Sequence, residues 1–302
     1  MQSSSNFRGI IFMCLAMVAF SCNDALVKSV TGAMNVGQIM FVRGLLTTLM
    51  VIVIARHFRA FRPLRTILKP VIILRIVMEA LASITYISAL GQIPLANASA
   101  IMQALPLAVT LGAAVFLGEP VGWRRWTAIF VGFIGVLIVL RPGPEGFTPA
   151  ALTVVACVFC TATRDLCTRR IDHDIPSLYI TVTTALVTTL VGAALIVPLG
   201  GWQPMSTTTL THVAAASLLL MVGYQTIVLA MRGGDISVIA PFRYTSLLFA
   251  ITIGIFFFSE KPDAWMLLGV AVIVGSGLYT FYRESRRGKN PVARSAVTGP
   301  LE

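Results

Sequence analysis

The chain has 302 residues, of which 57% are hydrophobic and 12% charged, with 23 Lys and Arg against 12 Asp and Glu for a net charge of +11. Soluble domains carry about 25% charged residues. A mean hydropathy of +0.86 therefore excludes a soluble enzyme or nucleic-acid-binding domain and defines a membrane protein.

Apolar runs predict spans over residues 7–30, 36–56, 70–90, 95–117, 124–141, 148–169, 176–198, 210–231, 236–258 and 264–282. Each is close to the ~20 residues that cross ~30 Å of hydrocarbon. Ten spans use nearly the whole chain. The first run is longer than a signal-peptide core and holds Asp24 and Lys28, so it is expected to be a retained helix. All five cysteines fall inside predicted spans, and the C-x-x-C of Cys157 and Cys160 lacks a second pair or a nearby His. Buried structural thiols are expected, with no metal and no cofactor. With the N-terminus inside, 16 Lys and Arg face the cytoplasm, 3 face outward and four arginines lie within spans. Both termini are then cytoplasmic, and the basic side meets anionic lipid headgroups and no nucleic acid. Residues 284–302 are basic, polar and aperiodic, which predicts a disordered cytoplasmic tail.

The chain repeats itself at one register. Asp24 and Asp165, Lys28 and Arg169, Glu119 and Glu260, and the Thr47–Thr48 and Thr188–Thr189 pairs all align at a shift of 141 residues. Five spans per unit make the second copy cross in the opposite sense. The fold class is therefore an all-α membrane protein of ten transmembrane helices, arranged as two inverted five-helix repeats.

These features, with "LGEP" after the fourth span, "FSEK" after the ninth and "GFIGVLIVLRPG" closing the first half, resemble the EamA-type transporters of the drug/metabolite transporter superfamily. The resemblance implies EamA-like domains over residues 7–141 and 148–283. It also implies a secondary or facilitated carrier for a small organic metabolite in the bacterial inner membrane. "VGWRRW", "APFRYTSLL" and "PDAWMLLG" are similar to an alphaproteobacterial subgroup. That similarity implies riboflavin uptake as the first candidate, with S-adenosylmethionine or amino-acid transport as the alternative. The four tryptophans sit at span ends, where interfacial anchoring accounts for them.

Seven charged residues lie within spans: Asp24, Arg43, Arg75, Glu79, Arg164, Asp165 and Arg243. Such charges are costly in hydrocarbon and mark pairs or pathways. Spacing of i and i+4 predicts Arg75 with Glu79, Asp24 with Lys28, and Asp165 with Arg169. Each is open to a structural reading. The functional alternatives are Glu79 as a proton acceptor when Arg75 swings away, and gating by the Asp24–Lys28 and Asp165–Arg169 pairs at the two mouths, with Arg43 complementing Asp24. For Arg243, snorkelling toward the cytoplasm competes with a pocket role favoured by Pro241, Phe242 and Tyr244. Asn97, Gln103, Tyr86, Tyr224 and Gln225 complete a candidate site for a flat, polar, hydrogen-bonding molecule, each also explicable as an interhelical bond.

An intramembrane enzyme is disfavoured. His57, His173 and His212 lie in loops or at span ends, and no H-E-x-x-H, G-x-S-x-G or phosphate-binding loop occurs. A channel would predict a charge ring or a carbonyl filter, whereas one chain with an internal inverted repeat suits a rocking carrier better.

Overall fold

A computed structural model describes residues 2–58, 62, 64–119, 122–140, 148–172, 174–232 and 236–286. Twelve α-helices lie among them: α1 (Gln2–Val30), α2 (Val36–His57), α3 (Pro70–Leu90), α4 (Leu95–Met102), α5 (Leu105–Phe116), α6 (Trp123–Leu140), α7 (Pro149–Arg169), α8 (Ser177–Ile196), α9 (Thr207–Arg232), α10 (Ile236–Ile239), α11 (Thr245–Phe258) and α12 (Ala264–Arg286). Nine helical segments among the described residues are long and apolar enough to cross a membrane, and α12 adds a shorter apolar stretch, Ala264–Thr280. Of the disordered tail expected over residues 284–302, residues 284–286 instead complete α12, and residues 287–302 lie outside the described residues, as do Arg141 and His173.

Two spans that read as continuous are broken. The fourth is α4 and α5, joined at Gln103 and Ala104, with Pro106 in the first turn of α5. The ninth is α10, a 3-10 turn over Ala240–Tyr244 that contains Pro241, and α11. Proline lacks an N–H and collides with the carbonyl four residues back, so the helix must restart. The breaks fall at corresponding places in the two halves, inside the bundle, where irregular backbone can be satisfied by protein or water.

Packing follows a two-fold pattern. α1 packs on α9 as its equivalent α7 packs on α3, while α2 meets its equivalent α8 and α6 meets its equivalent α12. Gly37 of α2 abuts Gly192 of α8, whereas Val51 and Ala55 pack with Val182. These two helices therefore run antiparallel. At the crossing, the hydroxyls of Thr48 and Thr189, equivalent residues 141 apart, lie 3.1 Å from each other. The α6–α12 contact behaves the same way: Gly132 faces Ser276, and Gly135 faces Ile273. Each residue in the second pair is the 141-shifted counterpart of one in the first. Equivalent helices that meet head to tail make the repeats inverted, with the pseudo-axis through these two seams. Lipid provides no hydrophobic drive between helices, so small residues that bring backbones together carry the seam.

Candidate functional site

Arg164 of α7 stands at the centre of the embedded charges. Its Nη1 donates to Glu79 Oε2 at 2.7 Å, its Nε donates to Asp165 Oδ1 at 2.9 Å, and its Nη2 lies 2.7 Å from the same oxygen. One guanidinium thus neutralises two carboxylates. Arg75 does not pair with Glu79 as its spacing predicts; its Nε donates to Thr168 Oγ1 at 2.9 Å and its Nη1 to Thr184 Oγ1 at 2.6 Å. The reason is tertiary. α7 and α8 pack on α3 and supply a nearer cation for Glu79 and two hydroxyls for Arg75, leaving the intrahelical attraction as a longer-range one.

Toward the opposite mouth, Asp24 Oδ2 accepts the Tyr86 hydroxyl at 2.7 Å and Oδ1 accepts the Asn23 amide at 2.8 Å. Arg43 of α2 lies within electrostatic reach of Asp24, Glu79, Tyr86 and Tyr224, yet bonds to none of them. Arg243, in the 3-10 turn, likewise senses Asp165 and Arg164. Tyr224 stacks edge-on with Phe20 at 5.5 Å. It is 48% exposed, and four embedded charges, Glu79, Arg164, Arg43 and Arg75, lie within electrostatic reach of it. Side chains from α1, α2, α3, α7, α9 and the 3-10 turn form one polar column between the repeats.

Two ion pairs bound the column, and neither is the i, i+4 pair expected. Lys28 does not hold Asp24; its Nζ lies 3.1 Å from Glu260 Oε1 and donates to the Ile93 carbonyl. Arg169 does not hold Asp165; its Nη1 lies 3.3 Å from Glu119 Oε1. Lys28 and Arg169 are equivalent under the 141-residue shift, and so are Glu260 and Glu119. Each pair therefore joins one repeat to the other, and inversion places them at opposite mouths. They differ in closure. Glu260 also accepts the Leu95 N–H on both oxygens at 2.9 Å, the Phe258 ring covers Lys28, and the side chains are 14% and 11% exposed. Glu119 is 41% exposed.

The remaining candidates lie apart from the column. Tyr244 is buried in an apolar cluster with Met13 and Ile239, its hydroxyl against Gly277, and Phe242 borders the same cluster. Gln103 Nε2 donates to Ser246 Oγ at 2.9 Å and ties the two broken spans together. Asn97 is half-buried on α4, and Gln225 is exposed beside Tyr224. The cross-repeat pairing of Lys28 with Glu260 and of Arg169 with Glu119 escaped the spacing argument, although the 141-residue register already contained all four.

Oppositely oriented bundles around a charged column that is closed at each end define a polytopic membrane carrier. The EamA-like transporter family matches the chain twice, over residues 7–141 and 148–282, and the protein belongs to that family. The chain is 30% identical over 217 residues to a riboflavin transporter of Rhizobium johnstonii, covering 72% of each chain. It is 26% identical over 288 residues to an S-adenosylmethionine uptake transporter of Rickettsia bellii, covering 92% of this chain and 94% of that one. It is 28% identical over 274 residues to a pseudopaline exporter of Pseudomonas aeruginosa, covering 88% and 93%. One solved structure superposes with a TM-score of 0.62 at 19% identity, covering 95% of this chain and 100% of the other, which supports the fold.

Proposed function

We propose that the protein is a secondary or facilitated carrier that moves a small organic metabolite across a bacterial inner membrane by alternating access, with both termini cytoplasmic. The supporting observation is the pair of equivalent ion bridges, Lys28–Glu260 and Arg169–Glu119, at the two ends of one polar column. On the proposed orientation the outer mouth is the more tightly closed. Both bridges are closed here, and rocking of the repeats about the α2–α8 and α6–α12 seams would open one while the other stays closed. In this reading Arg43, Arg75, Glu79, Asp24, Asp165, Arg243, Tyr86 and Tyr224 face the cargo or hold the groups that do.

Riboflavin uptake is the first candidate, because a relative 30% identical is named a riboflavin transporter; S-adenosylmethionine or amino-acid transport is the alternative. The test is uptake of each labelled compound into ATP-free proteoliposomes. A carrier gives saturable uptake that is accelerated by unlabelled compound on the far side, and Arg243→Ala lowers it without loss of membrane insertion. Unsaturable flux with conductance would instead mark a channel.

A further inference from the structure

Asp24 and Asp165 are equivalent residues of the inverted repeats, and each accepts a hydrogen bond on Oδ1 from the residue just before it. That preceding residue differs between the halves: it is Asn23 in the first and Arg164 in the second. Arg164 clamps both Asp165 and Glu79, so each of those carboxylates has a bonded cation. Asn23 and Tyr86 are neutral donors.

Among the described residues within spans, Asp24 is thus the one carboxylate held by neutral groups alone. The groups facing it from neighbouring elements do not change this. From α2, Arg43 is within electrostatic reach but makes no bond to it. From α3, Tyr86 is already its donor, and Cys157 of α7 lies behind Tyr86. On α1 itself, Lys28 is engaged by Glu260, and one turn back Phe20 packs on Tyr224 of α9. From α11, the nearby contact is the neutral Ser246 carbonyl, which accepts from Ser21. A partly buried carboxylate in a low-dielectric interior, without a bonded cation, is a group for which proton uptake relieves an electrostatic cost.

We propose that Asp24 is the proton-binding site that couples transport to the proton gradient. This rests on the carrier reading above. Water on one side of the membrane gives a proton to an Asp24 carboxylate oxygen, and the same proton returns to water on the other side, with no other bond made or broken. While Asp24 is protonated, Arg43 loses its nearest anion and is released toward hydrogen-bond acceptors on the cargo. When Asp24 ionises, Arg43 is drawn back. Proton and cargo then cross in the same direction. Asp165 differs in having Arg164 as a bonded cation.

A substrate-independent test is infrared difference titration of the reconstituted protein. Acidification through the neutral range should raise a reversible carboxylic-acid C=O band. The band should be absent in Asp24→Asn, present in Asp24→Glu and retained in Asp165→Asn. A band that survives Asp24→Asn, or its absence from the wild type, overturns the proposal. The flux test uses riboflavin and S-adenosylmethionine as probes in vesicles with the membrane potential clamped. For one proton per cargo, a gradient of about one pH unit drives roughly tenfold accumulation. In Asp24→Asn, whatever flux remains should be equal with and without the gradient, and Asp24→Glu should restore the difference. Wild-type exchange that ignores the gradient overturns coupling and leaves the carrier reading standing. If neither probe shows saturable flux, the carrier reading for these compounds fails, and the infrared titration still decides the role of Asp24.

Discussion

At Arg164 one guanidinium holds Glu79 and Asp165 together, and its removal leaves two embedded carboxylates without a bonded cation. Breaking a buried pair from one side costs about 3 to 5 kcal/mol. We expect Arg164→Met to fall near the lower figure, because the paired side chains are 18% to 21% exposed, with a corresponding loss of melting temperature in detergent. Adding Glu79→Gln and Asp165→Asn should recover most of it. The contrast is Lys69 with Asp172, an exposed pair at 2.6 Å. The hydrogen bond to Asp172 raises the Lys69 pKa above its ordinary value, so whatever stability it adds is fully present at neutral pH and is lost only as the solution becomes strongly alkaline. Water and salt screen it. Lys69→Met should leave the melting temperature unchanged in physiological salt. Sequence spacing located all seven embedded charges but misassigned their partners. An i, i+4 rule sees one helix, and here α3, α7 and α8 converge on the same side chains.

The seam between α2 and α8 depends on absent side chains. A Cβ on Gly192 would lie 2.7 Å from the Phe41 nitrogen, and one on Gly37 2.7 Å from the Leu195 carbonyl carbon. Backbone atoms of two packed helices cannot yield as a flexible side chain can, so alanine at either position pries the helices apart. Overpacking of this kind costs about 1 to 3 kcal/mol. A denaturant titration of Gly192→Ala should show that loss, while Gly275→Ala, with nothing within 4 Å of the added carbon, should be neutral or gain up to ~1 kcal/mol from helix propensity. The spans were legible because each needs a long apolar run. Their breaks were less so: Pro106 and Pro241 were visible, but that each restarts its helix at the corresponding depth depends on what the neighbouring helices offer the freed backbone.

For the molecule as a whole, the 141-residue register carried the most information. It foretold the inversion seen where α2 meets α8, and it aligned Lys28 with Arg169 and Glu119 with Glu260 before either cross-repeat bridge was known. What it could not supply was that each bridge takes its cation from one repeat and its carboxylate from the other, since this depends on how the bundles dock. That docking has a measurable consequence. If the bridges close opposite mouths of a rocking carrier, weakening one favours the state in which its mouth is open, and weakening the other does the reverse. Loss of the Arg169–Glu119 pair, whose carboxylate is 41% exposed, is worth about 1 kcal/mol, which shifts a two-state ratio about fivefold. Loss of the better-covered Lys28–Glu260 pair should shift it further. On a cysteine-free background, Tyr86→Cys reports access to the column from the Lys28 mouth. Glu260→Gln should raise its labelling by an impermeant maleimide added outside, and Glu119→Gln should lower it. Equal effects of the two substitutions would mean that the bridges fasten one rigid body and take no part in an alternating cycle.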